Sequence, residues 1–179
     1  MSRRPTRVIV ICEDILSEAF LRRFLTQRGD VPLRVMKPTP GGESGAAFVI
    51  REFAKEARTH RSRATSQRGC ALLAMVDADN LTTAQRREQM LAQLPPPRET
   101  TERIALFVPK WEIETWIEYL LNGGPVDESR QDYEKYRKRE KSCHPAADKF
   151  LLITQTGDIP SDCPPSLRET LTSELPRLP

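Results

Sequence analysis

The chain has 179 residues, a formal net charge of +3 and a charged fraction of 30%. This length favours one domain with a real hydrophobic core, and the small net charge excludes binding to nucleic acid through overall charge alone. No apolar run approaches the roughly 20 residues that cross a bilayer, so we expect no membrane span. The N-terminus does not resemble a signal peptide, and the four cysteines lack the CxxC spacing of a zinc or redox site. We therefore expect a cytoplasmic protein.

Apolar runs and helical periodicities alternate along the chain. Residues 8–11 predict a buried strand, and residues 14–28 predict an amphipathic helix that Gly29 ends. Residues 31–36 predict a second strand. Ser44 is the expected N-cap of the next helix. The apolar face predicted for that helix consists of Ala47, Ile50, Ala54 and Ala57.

The same alternation continues through the middle of the chain. A third strand is predicted at residues 71–76, and a helix at 82–94 is expected to stop at the three prolines that follow it. Residues 104–108 predict a fourth strand. The helix after it has an apolar side made of Ile113, Trp116, Ile117, Leu120 and Leu121. This order predicts an α/β fold with a parallel sheet of about four strands and helices on both faces.

The last third of the chain is polar and rich in proline. Residues 1–122 are predicted to form the α/β core, and residues 123–179 a helical extension of the same domain. We expect two or three short helices in this extension, packed on the edge of the core.

Acidic residues follow two of the predicted strands. Glu13 comes after the first strand, and Asp77 and Asp79 come after the third. In an open α/β sheet, ligands bind beyond the carboxyl ends of the strands. Carboxylates that converge there repel one another unless a proton or a cation lies between them. The pattern therefore predicts a site for a divalent metal ion.

The context of these acids resembles that of TOPRIM domains, which occur in topoisomerases, bacterial primases, recombination proteins and nucleases of the overcoming-lysogenization-defect (OLD) type. Residues 10–23 resemble the opening strand, glutamate and helix of that family, and Asp77-Ala78-Asp79 is similar to its DxD motif. Residues 112–116 and 163–168 resemble segments of small stand-alone bacterial TOPRIM-like proteins. The resemblance is clearest over residues 7–121.

The resemblance implies a TOPRIM-like (Rossmann-like) fold and assigns roles to the acids. Glu13, Asp77 and Asp79 would be the catalytic residues and would hold Mg²⁺ or Mn²⁺ near a scissile phosphate. Glu13 is alternatively the general acid or base. Glu114 is the fourth metal-ligand candidate, and Glu112 is its alternative if it lies at the end of the preceding loop. Trp116 is expected in the core rather than under a substrate.

The chain departs from the TOPRIM pattern at two positions. Asp14 stands where the family often has a glycine, and it is expected either to cap the following helix or to add a ligand. Asn80 stands where some members have a further acid. The glycine-rich segment 41–45 precedes a helix N-terminus, where backbone N–H groups can bind an anion. It lacks the lysine and spacing of a P-loop, so a flexible turn is the favoured interpretation.

Two basic stretches are candidates for contact with a phosphate backbone. The alternative for each is a solvated charged surface. The residues concerned are Arg58, Arg61, Arg63 and Arg68 in the first stretch, and Lys135, Arg137 and Lys138 in the second.

Together these features predict a metal-dependent nuclease or nickase that hydrolyses phosphodiester bonds of nucleic acid. Some relatives implied by the resemblance are encoded beside ABC-type ATPases in phage-defence loci, so an ATPase partner is expected with that context. The alternative is a non-catalytic TOPRIM-like binding or regulatory subunit. A small phosphatase with Asp14 as nucleophile ranks last, because the DxD of such enzymes is absent there. The short chain argues against a topoisomerase or primase.

Overall fold

Four parallel strands form a single sheet in this computed structural model, which describes residues 6–63 and 69–179. The strands are β1 (Arg7–Ile11), β2 (Val31–Met36), β3 (Cys70–Met75) and β4 (Ile104–Phe107). Their order across the sheet is β2-β1-β3-β4. The predicted parallel α/β architecture is confirmed.

A helix follows each of the four strands, and the last part of the chain contains further helices joined by irregular segments. The α-helices are α1 (Ile15–Arg28), α2 (Gly45–Ser62), α3 (Thr83–Leu91), α4 (Ile113–Asn122), α5 (His144–Thr156) and α6 (Pro165–Glu169). Short turns of 3-10 helix lie at Glu140–Cys143 and Leu175–Arg177, and a π-helical turn lies at Thr170–Glu174. Among the described residues, no helix combines the length and the apolar character needed to cross a bilayer.

Local capping chemistry sets the helix ends near the site. The Asp14 carboxylate accepts a hydrogen bond from Ser17 N–H at 2.8 Å and so begins α1. Gly29 ends it in the left-handed region, at φ +90°, which costs glycine little. Ser44 caps α2 as predicted, with its hydroxyl accepting from Ala47 N–H.

Two details of the predicted helices were wrong. α3 ends at Leu91 rather than at residue 94, and the chain then continues in turns. On α2, Ala54 and Ala57 are buried as predicted, but Ala47 is exposed, and the buried stripe also contains Val49 and Phe53. The side of α2 that packs on the sheet is decided by its larger apolar side chains, because they bury more apolar area than an alanine does.

The sheet separates two hydrophobic clusters because alternate side chains of a strand point to opposite faces. On β3, Leu73 and Met75 face the cluster under α1, α4 and α5, whereas Leu72 and Ala74 face the cluster under α2 and α3. All six residues of β3 are buried. Both faces of the central strands are therefore covered by helices, as predicted for a parallel sheet.

The C-terminal third contributes to the main core as well as to the edge of the sheet. Phe150 of α5 is fully buried, and its ring packs against those of Phe20, Phe24, Phe107 and Trp116, with centroids 4.7–6.4 Å apart. The expectation of an extension on the edge alone was therefore incomplete. The Phe150 ring contacts aromatic side chains of α1, α4 and β4 together, so α5 closes the aromatic part of the main core.

A buried ion pair covers the outer edge of β4. Glu174, which is 2% exposed, accepts hydrogen bonds from Leu106 N–H at 2.9 Å and from the Arg98 guanidinium at 2.7 and 2.8 Å. Arg98 also donates to the Ile104 carbonyl at 2.8 Å. The π-helical turn thus supplies partners for backbone groups that an edge strand would otherwise leave unpaired.

Replacing Glu174 by alanine should lower the free energy of unfolding by about 3–5 kcal/mol, because the change leaves the Arg98 guanidinium and Leu106 N–H buried without their acceptor. Denaturant-induced unfolding followed by circular dichroism measures this. Glu169→Ala is the matched control, since Glu169 pairs with Arg87 at a more exposed position and should cost about 1 kcal/mol or less. Equal losses in the two variants would contradict the proposed role of Glu174.

Candidate functional site

The strand order places Glu13 and Asp77 side by side. From β1 the chain moves outward to β2, and from β3 it moves in the other direction to β4, so the topological switch point lies between β1 and β3. Glu13 lies two residues beyond β1, and Asp77 two residues beyond β3. The Glu13 Oε1 accepts a hydrogen bond from Asp77 N–H at 2.7 Å. Switch points are the usual ligand sites of open α/β sheets.

Gly45, the first residue of α2, packs directly against Glu13. A Cβ atom at this position would lie 2.7 Å from Glu13 Oε2 and 2.8 Å from Glu13 Cβ. Any side chain here would displace the glutamate, so the last glycine of segment 41–45 is needed for close approach. The sequence pattern of segment 41–45 indicated only a turn or an anion-binding site, and it carries no signal for this packing role.

Three carboxyl groups at this end of the sheet have raised pKa values. Burial, reinforced by the charge of Asp79, raises the pKa of Glu13 from 4.5 to about 7. Burial together with the charge of Glu13 raises the pKa of Asp77 well above its usual value. Burial and the neighbouring Glu112 raise the pKa of Glu114 as well. The fold thus holds acids together in a place where their ionised forms repel one another.

Asp79 has a cationic partner that the sequence did not predict. The Arg86 guanidinium donates to Asp79 Oδ2 at 2.9 Å and to the Asp77 carbonyl at 2.8 Å, and it is only 7% exposed. Asp79 itself has φ +51°, a left-handed conformation that aspartate tolerates better than most residues. Arg86 therefore fixes the turn that contains both aspartates. Its position on the helix after a DxD motif is the one sequence signal for this role.

Glu112 and Glu114 both reach the same cavity. Residues two apart on a regular helix lie on nearly opposite sides. Glu112, however, has an extended backbone just before α4, so it is not directed away from Glu114 in this way. The preceding residue, Trp111, has φ +63°, which is strained for a bulky side chain and turns the chain into the helix. Lys135 pairs with Glu112, and its Nζ lies 3.6 Å from Glu114 Oε1.

Lys110 ties the two acidic loops together. Its ammonium donates to the carbonyls of Asp79 and Leu81, and it lies 4.6 Å from the centre of the Trp111 ring. Ala78 N–H also donates to the Pro109 carbonyl at 2.9 Å. The loop after β3 and the loop after β4 are therefore held as one unit.

Two adjoining cavities open at these loops and share Asp77 and Glu112. One has a volume of about 350 Å³, and the other about 520 Å³. The smaller cavity is lined by Asp14, Glu114, Lys135, Tyr136, Arg137 and Glu140, among others. The larger cavity is lined by Asp79, Asn80, Arg86, Trp111 and Gln131, among others. An acidic floor with basic walls suits a ligand that carries negative charge, provided that a cation accompanies it.

The second basic stretch borders the smaller cavity. Lys135 and Arg137 line it, while Lys138 is exposed nearby. Tyr136 between them is buried in the core and anchors the segment. Within the described residues, Arg137 forms no ion pair, whereas Lys135, the other cation that lines this cavity, pairs with Glu112.

The first basic stretch lies at the other end of the molecule. α2 begins beside Glu13, and its 18 residues carry the chain about 27 Å away. There Arg61 forms a two-pronged ion pair with Glu102, just before β4. Arg58 and Arg63 are exposed. Arg68 lies outside the described residues, and contact of this stretch with nucleic acid stays a prediction.

Glu13 and Asp77 fit a single Mg²⁺ or Mn²⁺ in chemical terms. In the described chain, no three His, Cys, Asp or Glu side chains are already grouped as a metal-binding set. Mg²⁺, however, is commonly bound by one or two carboxylates, with waters and substrate phosphates completing its shell. Glu13 and Asp77 are close, oxygen-bearing and lack a lysine or arginine ion pair among the described residues. A four-carboxylate set with Asp79 and Glu114 stays a prediction.

The other predicted residues have identifiable structural roles. Asp14 caps α1, which settles one of its two expected roles, although its side chain also borders the smaller cavity. Trp116 is fully buried, and its indole N–H donates to Ser166 Oγ at 2.7 Å, as expected for a core residue. The cysteines are all buried and unpaired.

Comparison of the chain with protein-family models, curated proteins and solved structures finds no match in any of the three. The TOPRIM-like assignment therefore depends on the sequence motifs and on the site geometry, and it stays a prediction.

The stability of the protein without metal should fall as pH rises from about 5 to 8. A carboxyl group whose pKa is raised by folding stabilises the fold fully below its unfolded pKa, and this contribution is lost as pH passes the folded value, here about 7 for Glu13. Glu13→Gln should therefore be more stable than the wild type at pH 8, by on the order of 1–3 kcal/mol.

Denaturant titrations from pH 4.5 to 8.5 in the presence of a chelator measure this effect. Glu88→Gln is the control, because it removes an exposed carboxylate of α3 that lines neither cavity, and it should leave the pH dependence unchanged. A Glu13→Gln variant that follows the wild-type curve at every pH would contradict the raised pKa of the buried Glu13 carboxyl.

Proposed function

We propose that this protein is a metal-dependent phosphodiesterase that cuts nucleic acid, acting as a nuclease or nickase. The observation that carries the proposal is the pair of acids, Glu13 and Asp77, brought together at the switch point of the sheet with raised pKa values. Neither forms an ion pair with a lysine or arginine in the part of the chain that the structure describes. Such a pair is unfavourable in a purely structural role. It becomes favourable when a divalent cation binds.

In this proposal Glu13 and Asp77 hold Mg²⁺ or Mn²⁺, which when bound polarises the phosphoryl oxygen and favours a hydroxide nucleophile. Asp77 N–H holds Glu13 in place, and Gly45 leaves room for it. Arg86 orients Asp77 through its carbonyl and keeps the Asp79 carboxylate in a fixed position. Glu13 as general acid or base remains the alternative role for that residue.

The wall of the smaller cavity supports nucleic acid as the substrate class. A phosphodiester that enters beside Asp77 would meet the guanidinium of Arg137, and Lys138 lies exposed next along the chain. Arginine binds phosphate oxygens with two parallel hydrogen bonds, which fixes orientation as well as charge. Binding of this kind reads the backbone and not the base sequence.

Asp77→Asn and Glu13→Gln should each reduce cleavage by about a hundredfold or more, because each removes one of the two anionic oxygen ligands. The assay is incubation with plasmid, single-stranded DNA and RNA, with Mg²⁺ or Mn²⁺ and then with chelator. Asp132→Asn is the control, since Asp132 pairs with Arg130 on the surface and should keep full activity.

Full cleavage by both site variants would refute the assignment of the site. Metal-dependent binding of nucleic acid without cleavage would instead favour the non-catalytic binding or regulatory subunit. The ABC-type ATPase partner follows only from the family resemblance, and activity that appears only when such an ATPase is added would support it.

Arg137→Ala should weaken binding of labelled oligonucleotides, and the slope of log affinity against log salt should become shallower by about one phosphate contact. Fluorescence anisotropy over a range of salt concentrations, with chelator present to prevent cleavage, measures both quantities. Arg22→Ala is the matched control, because Arg22 is exposed on α1, pairs with Glu18 and lines neither cavity. An equal effect of both substitutions would mean that nucleic acid does not dock at the acidic cavity.

A further inference from the structure

The acidic groups of the site differ in how their charge is neutralised. Asp79 is paired with Arg86, and Lys135 lies against both Glu112 and Glu114. The Asp14 carboxylate accepts the Ser17 N–H at the start of α1, and the Glu140 carboxylate accepts the Lys138 N–H. Glu13 and Asp77 are left as the two adjoining carboxylates without a basic partner among the described residues. Two negative charges match one divalent cation.

We propose that Lys135 occupies the position of a second cation, so that the site binds one divalent metal ion through Glu13 and Asp77. This inference depends on the proposed function and specifies it further. The Lys135 ammonium joins the two glutamates at the start of α4, and the lysine lines the same cavity as Asp77.

The position of Lys135 supports this assignment. The lysine belongs to the segment between α4 and the turn at Glu140–Cys143, and the neighbouring Tyr136 is only 6% exposed and packs into the main core. The segment is therefore anchored over the cavity. Glu112 and Glu114 would otherwise face each other across one side of the cavity as like charges, which favours a second cation.

Glu112 has unused capacity to bind such a cation. Its Oε2 is the atom that pairs with Lys135, whereas its Oε1 is buried and has no hydrogen-bond partner within residues 6–63 and 69–179. A buried acceptor without a donor is unfavourable, and removal of the lysine charge would leave both oxygens of Glu112 without a partner. Together with Glu114, they form an oxygen ligand pair of the kind that Mn²⁺ accepts.

The experiment counts bound Mn²⁺ ions per chain by electron paramagnetic resonance and isothermal titration calorimetry, without nucleic acid. The wild type should bind one ion. Lys135→Met should bind two, because the substitution keeps the length of the side chain and removes its charge. Lys135→Arg should bind one, and so should Lys138→Met, which removes an exposed lysine that does not line the cavity. Thermal unfolding of each variant checks that it is folded.

Two ions bound to the wild type would overturn the inference and leave the proposed metal-dependent function standing. One ion bound to a folded Lys135→Met variant would overturn it as well, because the lysine would then not determine the count. No ion bound to the wild type would refute both the inference and the proposed metal dependence. A wild-type count of one that Glu13→Gln abolishes and Glu112→Gln preserves would support the assignment of ligands.

Discussion

The direct pairing of β1 with β3 is the constraint on which the site depends. Ile11 lies beside Ala74 in the parallel register, so the residues that follow these strands emerge next to each other and Asp77 N–H reaches the Glu13 carboxylate. A sheet with β2 between these strands would separate the two acids by the width of a strand, about 4.8 Å more. The fold thereby places together two acids that are 64 positions apart in the chain.

The neighbouring charges give this pair its chemical character. Arg86 and Lys135 partner the carboxylates around it. Burial raises the pKa values of Glu13 and Asp77, and the charges of Asp79 on Glu13 and of Glu13 on Asp77 raise them further. In the proposed function, the protein neutralises the carboxylates around this pair with its own cations and leaves the pair itself to bind a metal ion. Buried charges that are left unpaired cost free energy in folding, and binding of a metal would recover it.

The C-terminal third stabilises both the core and the site. Phe150 fills the space between α1, α4 and the sheet, and Glu174 closes the outer edge of β4. The segment between α4 and α5 carries Lys135 and Arg137, and buried Tyr136 anchors it over the acidic cavity. Residues 123–179 therefore help to form the site as well as the hydrophobic core.

The sequence alone determined the four strands, the main helices and the position of the acids, because apolar periodicity and capping residues are local signals. Glu13 and Asp77 were identified in this way. Only the tertiary structure decided that Asp79 pairs with Arg86, that Glu112 joins Glu114 in one cavity, and that Gly45 and Lys135 belong to the site. These contacts join distant segments, and their partners depend on strand order and on the strained turn at Trp111, neither of which a local pattern encodes.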